Sequence, residues 1–296
     1  MEARPAPRPT FRIGDIEGAV LSGGDYWLDA GTMFGIIPKV IWEKLVQPDA
    51  RNRARLATRC LLVRTAGRRI LIETGCGGKW APRERSWHDF EEGEPIVHAL
   101  AREGLEPGDI DAIVLTHLHF DHAGGLTRLV RGRPVPVFPR AFVYVQRGEF
   151  EDAVTNVATM RRSYLPENFL PIQDAGLLRL VEGDVDVVPG VRTMVTGGHT
   201  RRHQAVLLVS GPNVGIFPGD IVPTRHHARP SVQVAYDLFP YDTMNRKQEI
   251  FRIARDRRWI VFLAHDPDVA SGTVRLDERG SFEIEPIGVK RPRHRR

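Results

Sequence analysis

The stretch "LTHLHFDHAGG", Leu115 to Gly125, places three histidines and an aspartate within six positions and then turns on two glycines. It follows "DAIVL", a continuous apolar run that reads as a short strand buried on both faces. The side chains beyond that strand emerge at the carboxyl end of a sheet, where open α/β sheets place ligands. His117 and His119 are two apart, so in extended chain they point the same way and together hold one metal ion. Asp121 and His122 come where the chain turns towards a helix, within reach of a second ion close by. Gly124 and Gly125 permit the tight turn. Imidazole with carboxylate and without thiolate suits zinc, iron, manganese or cobalt.

Three later segments offer further donors, each just after an apolar strand: His199 in "VTGGHT", Asp220 in "GIFPGD" and His265 in "VFLAHD". His203 in "GHTRRHQ" and Asp266 in "AHDP" are candidates to orient metal-bound imidazoles through the second ring nitrogen. Cys76, after "ETG", reads as a small buried hydrophobe.

The 296 residues contain no long Gly/Ser linker and no internal repeat, so we expect one domain over 1–296, with residues 1–9 and 289–296 as loose tails. "CLLVRTAGRRILIETG" predicts two strands around an Ala-Gly turn. "IVHALAREGL" has helical spacing, and Asp242 to Arg258 predicts a helix opened by an Asp/Thr cap. A hairpin is expected around Arg279 and Gly280. Glu151 to Ile172 is mixed and holds prolines, as an insertion covering a site would. Strands thus come in runs with helices between some of them, which predicts an α/β fold of two mostly β layers with helices outside.

Composition narrows the setting. Nothing approaches the roughly 18 apolar residues of a membrane span, and "MEARPAPRPTFRIGD" has no apolar core of a secretory signal. Two cysteines, Cys60 and Cys76, form no disulfide framework and no CxxC zinc site, so the expected location is cytoplasmic. Part of the +5 charge sits in "VKRPRHRR", which lacks interleaved aromatics; we expect a solvated tail and neither a nucleic-acid nor a membrane partner. There is no GxSxG elbow to supply a serine nucleophile.

In the order HxHxDH, His, Asp, His, the chain resembles the metallo-β-lactamase superfamily, from about Cys60 to His265. "ILIETG" is similar to that family's strand ending in Asp-Thr-Gly, with Glu73 in place of the aspartate. The resemblance implies an αββα sandwich of two mixed β-sheets flanked by helices, with the site at one edge. It implies His117, His119 and His199 on one divalent ion, Asp121, His122 and His265 on a second, and Asp220 bridging, with zinc foremost. Two such ions would share a hydroxide at neutral pH to serve as nucleophile, and Asp121 would take a proton and return it to the leaving group.

Within the superfamily, "THLHFDHAGG" with "GHT" and "AHDP" resembles the N-acyl homoserine lactonases, and "PSVQVAYDLFPYDTMNRKQEIF" is similar to methyl-parathion-hydrolase-like enzymes. Asp220 where a β-lactamase would carry a thiolate, a C-terminal hairpin instead of a helical domain, and an intact HxHxDH set other branches aside. The implied activity is hydrolysis of a small-molecule lactone, with a phosphotriesterase or arylesterase as second reading and a mononuclear-iron persulfide dioxygenase as third. The lactonase resemblance also implies a homodimer. The lactonases often carry a tyrosine three residues after the bridging aspartate; here Pro223 stands there. A histidine donor can replace a phenol, so His227 is the first substitute, with Tyr236 and Tyr241 nearby. Met33, Phe34, Ile36 and Ile37 in "TMFGIIPKVIW" are expected to line a pocket for an acyl chain or aromatic group.

Overall fold

The computed structural model describes residues 10–155 and 162–287. The expected tails, 1–9 and 289–296, and the middle of the expected insertion, 156–161, lie outside the described residues.

Sixteen strands are described. In chain order they are β1 (Thr10–Ile13), β2 (Ile16–Asp29), β3 (Arg53–Thr65), β4 (Arg68–Ile72), β5 (Ala112–Val114), β6 (Thr127–Val130), β7 (Arg133–Pro136), β8 (Phe142–Gln146) and β9 (Leu178–Val181). They continue with β10 (Asp186–Val188), β11 (Val191–Val195), β12 (Gln204–Ser210), β13 (Asn213–Phe217), β14 (Ile260–Phe262), β15 (Ser271–Leu276) and β16 (Phe282–Pro286). One seven-stranded sheet runs β1-β2-β3-β4-β5-β8-β9, and a second runs β10 to β16 in sequence order. Both are mixed: β4, β5, β8 and β9 pair in parallel, as do β13 and β14, and the other pairs are antiparallel. β6 and β7 form a separate hairpin.

Eight helices join them: α1 (Ala30–Phe34), α2 (Lys39–Trp42), α3 (Pro82–His88), α4 (Pro95–Arg102), α5 (Phe120–Ala123), α6 (Arg147–Thr155), α7 (Pro166–Asp174) and α8 (Pro240–Asp256). The layering follows from alternation along the strands. On β3, Leu61 and Val63 face the second sheet and meet Val206, Leu208 and Phe217. Cys60 and Leu62 face the other way, where Ile96, Ala99 and Leu100 of α4 cover them. Burial on both faces is why this strand reads as an unbroken apolar run. α8 covers the outer face of the second sheet with Ile250, Phe251 and Ala254. The result is the expected αββα sandwich. Among the described residues no helix is long and apolar enough to cross a membrane.

One local expectation changes. α8 begins at Pro240 and its N-cap, Phe239, makes no side-chain bond. Proline at the first helical position supplies the start, and Asp242 sits in the first turn, facing the positive end of the helix. β1 and β2 form an N-terminal hairpin, and β2 carries "LSGGDYW", whose glycine pair is a common turn signal. Here it marks a bulge: the register of β2 against β3 shifts between Ser22 and Asp25. A side chain on Gly23 would come within 2.6 Å of the Gly75 Cα, so only glycine lets the bulged strand lie there. Bulges re-aim the residues that follow them, and here pairing resumes at Asp25 and continues with Tyr26.

Candidate metal centre

Four strand ends converge at one edge of the sandwich. After β5 the chain carries His117 and His119, and α5 then presents Asp121 and His122. His199 follows β11, Asp220 lies in the short turn after β13, and His265 follows β14. None of the seven is more than 8% exposed.

The donors form two groups joined by one carboxylate. His117, His119 and His199 bring one atom each within 4.8 Å of one another, and so do Asp121, His122 and His265. His119 Nδ1 lies 3.1 Å from His199 Nε2, and His122 Nε2 lies 3.1 Å from His265 Nε2. Asp220 stands between: Oδ2 is 3.3 Å from His199 Nε2, while Oδ1 is 3.0 Å from His265 Nε2 and 3.3 Å from His122 Nε2.

Two buried atoms show that a cation fits. His117 Nε2 and Asp220 Oδ1 have no hydrogen-bond partner. A buried polar atom left without a partner costs about 1–3 kcal/mol, more for a charged group. Both atoms point into the donor clusters, where a divalent ion would satisfy them. Imidazole and carboxylate are donors suited to zinc and its neighbours.

The outer nitrogens of the imidazoles are held. His199 Nδ1 donates to Asp237 Oδ1 at 2.9 Å, and His265 Nδ1 donates to the Ala57 carbonyl at 2.9 Å. His117 Nδ1 meets the Thr116 hydroxyl at 2.9 Å, and His122 Nδ1 lies 3.4 Å from Glu73 Oε2. The bonds to Asp237 and to the Ala57 carbonyl place the proton of His199 and His265 on Nδ1 and aim Nε2 inward. Glu73 also accepts from the Thr116 backbone N–H at 2.9 Å, and it does so from a left-handed backbone, φ 64°. A non-glycine residue in that region stores roughly 1 kcal/mol of strain, held here by the bonds its carboxylate makes.

The electrostatics divide the cluster. Burial, followed by the neighbouring imidazoles, drives His117 well below the usual histidine range and His119 to about 3. Burial also works against a proton on His122, but Asp220, Glu73 and Asp121 outweigh it and raise that pKa well above the ordinary value. His199 and His265 rise for the same reason, with Asp220 the main counterweight to burial. Asp220 goes well below the carboxylate range: burial opposes this, and His265, His122 and His199 overcome it. The carboxylate side thus draws positive charge, and His117 and His119 remain neutral imidazoles.

The cavity over these donors measures about 230 Å³. Its apolar wall includes Tyr26, Leu28, Met33, Leu56 and Val234, and Tyr236 also lines it. Arg162 and Ser163, from the expected covering segment, line it too.

The other expected residues fall elsewhere. His227 is not in the cavity wall. It is buried against Phe34, its Nε2 donates to the Met33 carbonyl at 2.7 Å, and its Nδ1 meets the Thr224 hydroxyl at 2.8 Å. With both nitrogens engaged it has no donor for a substrate; it holds the backbone of α1. Tyr241 is 70% exposed and Ile36 is 93% exposed, so neither lines the cavity. Phe34 and Ile37 pack in the apolar cluster beside it, as does Cys76. His203 accepts from the Asp220 backbone N–H at 3.2 Å, so it positions the bridging residue's backbone and no imidazole. Asp266 binds Arg225 and the turn that follows, at Asp268 and Val269.

Three participants gave no signal in the sequence. Tyr26 donates to Asp121 Oδ2 at 2.6 Å. Asp237 orients His199 from a loop 38 positions away. Glu149, fully buried on α6, accepts from the Leu118 N–H, the Tyr164 hydroxyl and the Thr200 hydroxyl at 3.1, 2.8 and 2.6 Å. It thereby ties the loop of His117 and His119 to the loop of His199.

Comparison with known proteins agrees with this geometry. Residues 53–265 match the family model of the metallo-beta-lactamase superfamily. An N-acyl homoserine lactonase of Bacillus thuringiensis is 30% identical over 218 residues, 70% of this chain and 80% of its own. The crystal structure of a probable metal-dependent hydrolase from Staphylococcus aureus superposes with a TM-score of 0.84 at 29% identity, covering 93% of this chain and 99% of that one. A structure of an N-acyl homoserine lactone hydrolase, with its product N-hexanoyl-L-homoserine bound at the catalytic metal centre, superposes with a TM-score of 0.65 at 25% identity over 85% and 93% of the two chains. The matched span contains all four strand ends that carry the donors, and on that ground the chain belongs to the metallo-β-lactamase superfamily and is a metal-dependent hydrolase.

Proposed function

We propose that this protein opens the ring of N-acyl homoserine lactones, using two divalent ions, zinc foremost, held by the two donor groups. One observation carries the two-ion reading: the two oxygens of Asp220 divide between the groups, Oδ2 towards His199 and Oδ1 towards His122 and His265. His117 and His119 complete the first group, and Asp121 the second. Ions so bound supply a water nucleophile at neutral pH and Lewis acidity towards a carbonyl oxygen.

The chain's own residues supply the rest. Asp121 is the proton carrier: it takes the proton lost by the attacking water and returns it to the ring oxygen as the C–O bond breaks. The Tyr26 hydroxyl holds one of its oxygens in place. Burial keeps the Tyr26 phenol protonated by raising its pKa well above 10, and the charge of Asp121 adds to this. Tyr236 stands on the cavity wall and takes the part of the phenol missing at Pro223, donating to the lactone carbonyl. Leu28, Met33, Leu56 and Val234 give the acyl chain an apolar wall and exclude water. The lactonase names of the relatives support the substrate class.

The test is proton release in a pH-stat from metal-loaded protein and an N-acyl homoserine lactone, with Asp220→Ala as the blank. Acid release that the variant lacks is expected. No release from wild-type protein that holds two ions would refute the lactonase reading and turn attention to phosphotriesters and aryl esters.

A further inference from the structure

A second cavity, about 210 Å³, adjoins the first, and Met33 and Leu56 line both. We propose that this second cavity receives the far end of a long acyl chain, which enters between Met33 and Leu56; the proposal rests on the lactonase reading.

The two partition residues differ in freedom. Leu56 is fixed on β3, opposite Tyr26. Met33 is unbranched, with three rotatable bonds, and such a side chain fills or vacates a gap at little cost. Its backbone is pinned: His227 donates to the Met33 carbonyl at 2.7 Å, and Ala235 N–H donates to the neighbouring Thr32 carbonyl at 2.8 Å. The side chain is therefore the one part of α1 at the partition that moves without cost to the backbone. This gives His227 a role, as the residue that fixes the post on which the Met33 side chain swings.

The chemistry beyond the partition selects a hydrocarbon. The floor is apolar, with Trp27, Phe34, Val46 and Ala54. The rim carries charge, but it is paired. Arg225 binds Asp266 at 2.9 Å and Asp268 at 3.1 Å, and Arg55 binds Asp25 at 3.4 Å. An ionic ligand would have to break these pairs, whereas a methylene chain leaves them intact. The occupant is identified by adjacency: the cavity shares Met33 and Leu56 with the one that His119, Asp121, His199, Asp220 and His265 also line, so a chain attached at the reacting carbonyl reaches it once the Met33 side chain turns aside.

The test uses two substitutions that line only the second cavity, Val46→Trp and Ala54→Phe, each filling it away from the donors. Val46 is partly exposed and the milder change, so it covers the event that Ala54→Phe fails to fold. The metal-loaded enzymes would be assayed with butanoyl, hexanoyl, decanoyl and dodecanoyl homoserine lactones. Calorimetry would measure binding of the ring-opened N-dodecanoyl-homoserine. Each buried methylene contributes roughly fourfold in affinity, so we expect kcat/KM for the dodecanoyl substrate, and affinity for its product, to fall about tenfold or more, with the butanoyl substrate unchanged. Equal effects at every chain length, or none at the longest, would overturn the proposal while leaving the lactonase reading intact. If no lactone is opened, the lactonase reading falls, and the calorimetry alone judges the cavity. Absent or unaltered dodecanoyl binding overturns the proposal there too.

Discussion

The hydroxyl of Tyr26 donates to Asp121 Oδ2 across 2.6 Å, and both side chains are buried in the wall of the metal cavity. The pair joins a β2 residue aimed by a bulge to the aspartate of the HxHxDH segment, 95 positions later. It leaves Asp121 with one oxygen fixed by the phenol and the other facing His122 at 3.8 Å. Tyr26→Phe is expected to keep the metal content and to lower kcat by about 10- to 100-fold, at or below the low end of the roughly 10²- to 10⁴-fold that a proton carrier itself contributes, because Tyr26 acts through Asp121, with little change in KM. Loss of metal from the variant, or an unchanged kcat, would remove Tyr26 from this role.

Asp237 bonds the outer nitrogen of His199, and in the proposed centre it would act on the metal through that ring. Partners of this kind contribute about 10- to 100-fold in metal affinity. Asp237→Ala is therefore expected to weaken binding by that order in a competition titration against a chelator, with the fold retained by circular dichroism. Unchanged affinity would show that the 2.9 Å bond to His199 Nδ1 does not orient the ring.

Glu149 carries a stability prediction. Burial raises its pKa, and the bonds from Thr200, Leu118 and Tyr164 oppose that rise. Glu149→Ala would strand three donors in the interior, at about 1–3 kcal/mol for each group left unsatisfied. We expect a loss of several degrees in Tm, measured on the metal-free protein so that lost metal does not confuse the reading. A variant as stable as wild type would contradict the structural role.

Lys247 carries a pH prediction. It is fully buried on α8, its Nζ donates to the Val232 carbonyl at 2.7 Å, and burial lowers its pKa from 10.5 to about 8, with Asp237 opposing. Below about 8 both folded and unfolded chains carry the proton, and the folded state bears the full cost of the buried charge. Between about 8 and 10.5 the unfolded chain binds more protons than the folded one, so this group makes stability rise with pH. The rise is on the order of 3 kcal/mol. Urea unfolding of wild type and Lys247→Met across that window is expected to show a difference that grows with pH in favour of wild type. A flat difference would mean that the lysine is not held below its ordinary pKa.

The seven clustered donors were legible in the sequence because four apolar strands lead into the segments that carry them, and strand ends are where this architecture collects side chains. The sandwich was legible for a related reason: runs such as "CLLVRT" admit burial on both faces. What escaped depended on contacts between distant segments. Tyr26 was hidden by a glycine pair that signals a turn but builds a bulge. Glu149 sits in "RGEFEDAVT", where an acidic residue looks like helix surface, and only the packing of Tyr164 and Thr200 against it reveals its burial. His227 drew attention by its nearness to Asp220 in sequence, yet its two nitrogens are spent on Thr224 and Met33. Nearness along the chain does not bring the His227 ring to the cavity, and its bonds to Thr224 and Met33 leave it no donor for a substrate.

The most direct test of the two-ion centre is the metal content of the purified, dialysed protein by plasma mass spectrometry, measured beside Asp220→Ala. A bridging carboxylate between two complete donor groups predicts two divalent ions per wild-type chain, with loss from the variant. A single iron per chain, or a variant that retains the full complement, would contradict the account.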